Sequence, residues 1–246
     1  MQRAAFSFSL VLACLAAGQA RAWTSPAPDV VLYCSAALEA PMRQVAAGFT
    51  AARDIEVHIF VSPPDGIVGL VRHRARADVV VADAPTLQVL AAGGQVRSGS
   101  VVALGRDPYV LIAHAAIAAP PADAVQPFLA AHATAVSDPT TAAGFDGHAV
   151  LHEVAPDLDA ARITGLPDTP DIIDAVRADP DLVGLVLQTE AVAQKLGLHQ
   201  VARLGVPPEP IAGGLVTLGQ SANAADLLAY VAGPEGQATL HQAGLE

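Results

Sequence analysis

Three times in the first hundred residues, a short run rich in Val, Ile or Leu passes through a tight turn into a segment whose apolar residues recur at helical spacing. Residues 30–33 lead through Cys34, Ser35 and Ala36 into a helix with Leu38, Met42, Val45 and Phe49 on one face. Residues 56–61 enter the turn Ser62-Pro63-Pro64-Asp65-Gly66, which opens a helix carrying Ile67, Leu70 and Val71. Residues 79–82 are followed by Asp83 as an N-cap, Pro85 in the first turn and Gly93-Gly94 as the stop. Strands this uniformly apolar have both faces buried, so the succession predicts mostly parallel sheets covered by helices on both sides.

Further strands are expected at residues 101–104, 109–114, 133–137, 162–164, 182–187 and 215–218. Helices are expected near 125–132, over 169–177 with Thr169 as cap, from Gln188-Thr189 to Gly197, and at 222–231 and 234–243. The run 109–114 is long enough to carry the chain out of a first unit, and residues 199–210 return it. The expected architecture is α/β with two lobes. Residues 23–110 and 201–246 form one and 111–200 the other, with hinges near 109–114 and 201–210.

Residues 1–22 combine Arg3, an apolar core over 4–17 and small residues at Ala20 and Ala22, the pattern of a cleaved export signal. The apolar run of about 14 residues, at ~1.5 Å each, is short of a ~30 Å hydrocarbon core. An alternative makes Val11-Leu12-Ala13-Cys14 a lipoprotein box with Cys14 lipidated, although Leu12 fits it poorly. Loss of Arg3 and Arg21 takes the net charge from −11 to −13, a field that repels nucleic acid and anionic lipid. Only Cys34 then remains, so no disulfide forms within the chain and stability rests on a packed core. A soluble periplasmic monomer is expected.

In open α/β sheets ligands bind beyond the carboxyl ends of the strands, where helix N-termini offer unpaired N–H groups and partial positive charge. Four such turns here carry small or hydroxyl residues: Ser35-Ala36-Ala37, Ser62, Thr140-Thr141-Ala142 and Gln188-Thr189. Two belong to each lobe, so facing lobes would line one cleft with them. Taken singly, each Ser or Thr reads as an ordinary helix cap.

The stretch 31–38, Val-Leu-Tyr-Cys-Ser-Ala-Ala-Leu, the strand 77–83, Ala-Asp-Val-Val-Val-Ala-Asp, and the closing Gly233-Pro234-Glu235-Gly236-Gln237-Ala238 with Ala243-Gly244-Leu245 resemble the molybdate-binding proteins of ABC transporters. The resemblance spans residues 29–245 and implies a type II periplasmic binding protein fold, a small ligand such as an oxyanion, and an ABC permease of the inner membrane as partner. It places the first oxyanion-binding serine at Ala37, with Ser35 as substitute, and the second in the turn containing Ser62 and Gly66. It places the third-turn donors at Thr141, Ala142 and Ala143, and the family's tyrosine at Leu187. Leu187, the donor-free Pro63-Pro64 and the carboxylate of Asp65 are departures that predict altered specificity, including a neutral or organic ligand.

The remaining constellations point to little chemistry. Cys34 as a periplasmic nucleophile lacks a sequence-adjacent His. His148 and His152 stand at helical i, i+4 spacing beside Glu153 but lack a third ligand, so no metal is expected. His73 among Arg72, Arg74 and Arg76 reads as a solvated helix face rather than a phosphate clamp. With no nucleophile elbow, P-loop, dinucleotide fingerprint or Cys-x-x-Cys, no catalytic residue and no cofactor is expected.

Overall fold

The computed structural model describes residues 29–97, 99–138, 147–193 and 197–246, so the expected export signal lies outside the described residues. The chain opens with β1 (Val30–Cys34), α1 (Glu39–Arg53), β2 (Val57–Val61), α2 (Pro64–Arg72), β3 (Val79–Asp83), α3 (Ala84–Ala92) and β4 (Val102–Asp107). It continues with β5 (Tyr109–His114), α4 (Val125–Ala131), β6 (Ala133–Ser137), α5 (Gly147–Val154), β7 (Ile163–Leu166), α6 (Thr169–Ala178), β8 (Leu182–Leu187), α7 (Gln188–Ala193) and β9 (Leu198–Arg203). It closes with β10 (Glu209–Leu215), α8 (Ala224–Ala232) and α9 (Pro234–Gln242).

The strands form two five-stranded sheets, ordered β2-β1-β3-β10-β4 and β7-β6-β8-β5-β9. In the first, β2, β1 and β3 are mutually parallel and β10 runs against its neighbours. In the second, β7, β6 and β8 are parallel and β5 runs against β8 and β9. The α/β, two-lobed architecture is therefore the one expected.

Alternation along β1 explains why its sequence is uninterruptedly apolar. Val30, Leu32 and Cys34 pack with Leu38, Met42 and Phe49 of the following segment and with Leu227 and Val231 of α8. Val31 and Tyr33 face the other way, onto Ile67 and Val71 of α2 and Leu87 and Leu90 of α3. The second sheet is sandwiched likewise, with Leu111, Val136 and Leu185 toward Leu129 and Leu151, and Ile112, Ala135 and Val186 toward Ile172 and Val176. Each fully buried side chain of this size contributes about 1.5–3 kcal/mol.

Three local readings change. The last strand is β10, not residues 215–218: Val216 makes only a lone bridge to Val96. Gly213 and Gly214 resemble a turn in sequence, but they pair in the ladder with β3, and glycine fits there because a Cβ would meet Leu228 at 2.8 Å and Val96 at 2.9 Å. The cap of α6 is Asp168, whose carboxylate accepts from the Asp171 amide at 3.0 Å, and Thr169 is the first helical residue. Finally, residues 109–114 are held between β8 and β9 along their length. The chain therefore passes between sheets at 107–109 and 203–209. No helix among the described residues is long and apolar enough to cross a membrane.

Candidate functional site: the crevice between the lobes

Parallel β1, β2 and β3 bring the starts of α1, α2 and α3 to one edge of the first sheet. Ser35 leaves β1 in extended conformation (φ −68°, ψ 156°), donates its amide to Val81 at 3.3 Å, and precedes a 3₁₀ turn, Ala36–Leu38. Its hydroxyl caps nothing and is half-buried. The Ser62 amide donates to the Cys34 carbonyl at 3.1 Å, which holds the turn after β2 against the turn after β1. Gly66 packs against that turn, where a Cβ would lie 2.3 Å from the Ser62 hydroxyl oxygen and displace it. Asp65 is exposed in the first turn of α2. Ser35, Ser62 and Gly66 thus cluster on the first lobe.

Ala37 reaches across and packs against the core of the second lobe, the cluster that also contains Leu187. Thr141, Ala142 and Ala143 lie outside the described residues. A cavity of about 280 Å³ opens between the lobes, with Ala36, Ala37 and Arg43 on one side and Thr169, Pro170 and Glu190 on the other. Arg43 is engaged by Glu39, Nε to Oε1 at 2.8 Å.

The start of α7 is already occupied by acceptors from within the chain. Its approaching amides go from Leu187 to Glu190 Oε2 (3.1 Å), from Gln188 to the Pro108 carbonyl (2.8 Å) and from Thr189 to Asp107 Oδ1 (3.1 Å). The Thr189 hydroxyl also donates to Asp107 Oδ2 at 2.5 Å, and the Thr169 hydroxyl to Glu190 Oε1 at 2.7 Å. Two carboxylates therefore stand where an external anion would otherwise meet this helix end. Leu187 offers the crevice only a side chain, which is itself 5% exposed.

Burial pushes the Glu190 carboxyl up to about 7, against the two hydrogen bonds it accepts and with the charges of Asp107 and Asp168 adding to it. Burial likewise raises Asp107 to about 6, opposed by the Thr189 hydrogen bonds. Beside them Tyr109 donates to Glu209 Oε2 at 2.5 Å, tying β5 of one sheet to β10 of the other. Burial raises Glu209 as well. These acidic residues were missed from sequence: Asp107 reads as the end of a strand before Pro108, and Thr189-Glu190 as an ordinary helix start.

Cys34 is fully buried, and burial, aided by Glu39, pushes its thiol up to about 12. At neutral pH it carries no thiolate with which to attack. The one group of three metal-ligating side chains among the described residues is Asp29, Glu56 and His58, with one ligand atom of each within 4.8 Å of the others. It sits at the amino ends of β1 and β2, away from the crevice.

Comparison with known proteins identifies this arrangement. The family model described as bacterial extracellular solute-binding protein matches residues 30–246. A substrate-binding domain assigned to a molybdenum ABC transporter of Clostridium difficile superposes with TM-score 0.74 at 14% identity, over 89% of this chain and 98% of that one. The periplasmic molybdate-binding protein of Azotobacter vinelandii gives 0.71 at 18% identity, over 89% and 99%. PEB3 of Campylobacter jejuni, with L-phospholactate bound, gives 0.69 at 13% identity, over 88% and 98%. No curated protein sequence matches significantly. The resemblance to molybdate-binding proteins thus holds for the fold, and the match over nearly all of the described chain places this protein in the family of bacterial extracellular solute-binding proteins.

Proposed function

We propose that the protein captures a small solute between its lobes in the periplasm and presents it to an ABC permease of the inner membrane. The supporting observation is the crevice itself: a cavity lined by the turn after β1 on one side and by the starts of α6 and α7 on the other. The lobe bounds expected at 110 and 201 move to the passages at 107–109 and 203–209, because β5 and β9 belong whole to the second sheet, and the protein acts as a monomer with no cofactor. From the first lobe Ala37 lines that cavity, and Ser35, Ser62 and Gly66 would contribute from the adjoining turns. Leu187 and the turn holding Thr141, Ala142 and Ala143 contribute from the second. A local set of amide and hydroxyl donors binds a desolvated anion in spite of the net negative field, because short-range dipoles outweigh screened distant charges.

An oxyanion such as molybdate is the first ligand of this reading, supported by what the Azotobacter protein binds. Isothermal titration with molybdate, tungstate, sulfate and phosphate tests it, and absence of heat with all of them removes the oxyanion while leaving the fold untouched. A second reading, an organic or neutral ligand, is favoured by Glu190. A full carboxylate 4 Å from a unit negative charge costs about 4 kcal/mol at an effective dielectric of 20. A neutral ligand bearing hydroxyl or amine donors would avoid that cost. A thermal-shift screen of organic acids and neutral metabolites separates the two, since stabilisation by oxyanions alone excludes the second.

A further inference from the structure

The arginines that read as a solvated helix face are exposed, as expected, but only Arg72 lies on the helix. Arg72 ends α2, and Arg74 and Arg76 lie in the connection to β3, lining a cavity of about 590 Å³ with Gln95 and the segment after β10. That size falls within the ~300–1,000 Å³ of small-molecule sites. The cavity adjoins the amino end of β3, the opposite end of the sheet from the crevice.

Its walls are preformed. The buried Asp78 carboxylate accepts from the amides of Val31 (2.9 Å), Gln220 (2.6 Å) and Ser221 (2.8 Å), and Thr217 Oγ1 donates to the Gly94 carbonyl at 2.8 Å. The helix end that carries the arginines is closed by the Ala75 amide on Leu70 O (3.0 Å) and the Arg74 amide on Val71 O (3.1 Å). That closure puts a left-handed residue at Arg74 (φ 60°), where glycine is the unstrained choice. An unfavourable backbone conformation thus places a guanidinium at the cavity. Neither Arg72 nor Arg74 pairs with a carboxylate among the described residues, while Arg76 donates to the Asp29 carbonyl at 3.0 Å. Asp29's own carboxylate contacts His58 at 3.1 Å. Gln95 Oε1 is buried without a hydrogen-bond partner among the described residues. Val71, Val216 and the 61% exposed Leu218 supply apolar surface.

We infer that this cavity is a second binding site, separate from the crevice, for an amphiphilic anion: a phosphate-type head held by Arg72, Arg74 and Arg76, and an apolar body over Val71, Val216 and Leu218. A phosphate monoester fits the polar end, since its oxygens accept from guanidinium groups. The same chemistry occurs in a free phosphorylated amphiphile and in an anionic lipid headgroup.

The test is calorimetry of the full mature chain with octyl phosphate below its micellar concentration, comparing wild type with Arg74→Gly. The variant is expected to bind about tenfold more weakly, the loss of one charge-assisted contact. Relief of the left-handed strain is expected to raise its melting temperature by about 2 °C. Weaker binding in a more stable protein cannot come from misfolding. No heat with wild type, or equal affinity in Arg74→Gly, overturns the site, and inorganic phosphate binding as tightly as octyl phosphate overturns its apolar half. Co-sedimentation with phosphatidylglycerol but not phosphatidylcholine vesicles, competed by octyl phosphate, supports the site with lipid as the source. Octyl phosphate binding without co-sedimentation supports it with a free ligand.

Discussion

Glu190 restricts the contents of the crevice more than any other side chain described. Its carboxyl is held near neutrality by burial, and its two oxygens are taken by the Thr169 hydroxyl and the Leu187 amide. An anion arriving beside it favours the protonated form, so anion binding takes up a proton and tightens as pH falls through about 7. Titration calorimetry with molybdate is expected to give at least a tenfold weaker affinity, about 1.4 kcal/mol, at pH 8.5 than at pH 5.5. Glu190→Gln is expected to abolish that dependence, and a pH-independent wild type would place Glu190 outside the site. Cys34 allows a second check: its thiol is expected to be inert to a disulfide reagent in the native protein and to react once the chain is unfolded in guanidinium. The positions of Ser35 and Ser62, in the turns after β1 and β2, are readable from sequence because each directly follows an apolar strand. Glu190 is not readable, because what holds it comes from Thr169, 21 positions away, and from burial that exists only once the elements have packed.

Among the elements, strands buried on both faces were the most legible. β5 and β8 fall where the nearly unbroken apolar runs fall, since burial on both sides leaves little room for a polar residue. β10 was displaced because its glycines look like turn residues until the side chains of α8 and of residue 96 are in place above them. Gly184 in β8 belongs to the same class: a Cβ would meet Ile172 at 2.7 Å and Val176 at 3.0 Å. Gly184→Ala is therefore expected to cost about 1–3 kcal/mol, read as a lower urea midpoint at unchanged slope. The join between β4 and α7 makes a pH prediction. Asp107 keeps its proton to about pH 6 in the folded chain but releases it near 3.8 when unfolded. Between those values the native state binds more protons, so this contribution to stability is complete below about 3.8 and is lost as pH rises through about 6. The loss is roughly 3 kcal/mol for a shift of this size. Urea midpoints measured across this range are expected to fall less steeply for Asp107→Asn, which keeps the shape but cannot ionise.

At the level of the whole molecule, the two sheets share one plan: three parallel strands, then an antiparallel strand, then an edge strand. No repeat in the sequence announces it, because the antiparallel strand is the last of the chain in one sheet, β10, and the first of its segment in the other, β5. That exchange confines the connection to two short crossovers. They are tied at three points: Tyr109 to Glu209, Thr189 to Asp107, and the Gln188 amide to Pro108. Two lobes joined this way can close on a ligand with backbone change limited to a few residues. The two-lobed plan itself could be inferred from the succession of strand–turn–helix units, whereas the acidic ties between lobes could not, since each joins residues about 80 to 100 positions apart. The claim that both lobes hold one solute is tested most directly by hydrogen–deuterium exchange, with and without the solute giving the largest thermal shift. Slower exchange is expected together at residues 35–40 of the first lobe and 187–190 of the second, and protection confined to one lobe, or to neither segment, would contradict it.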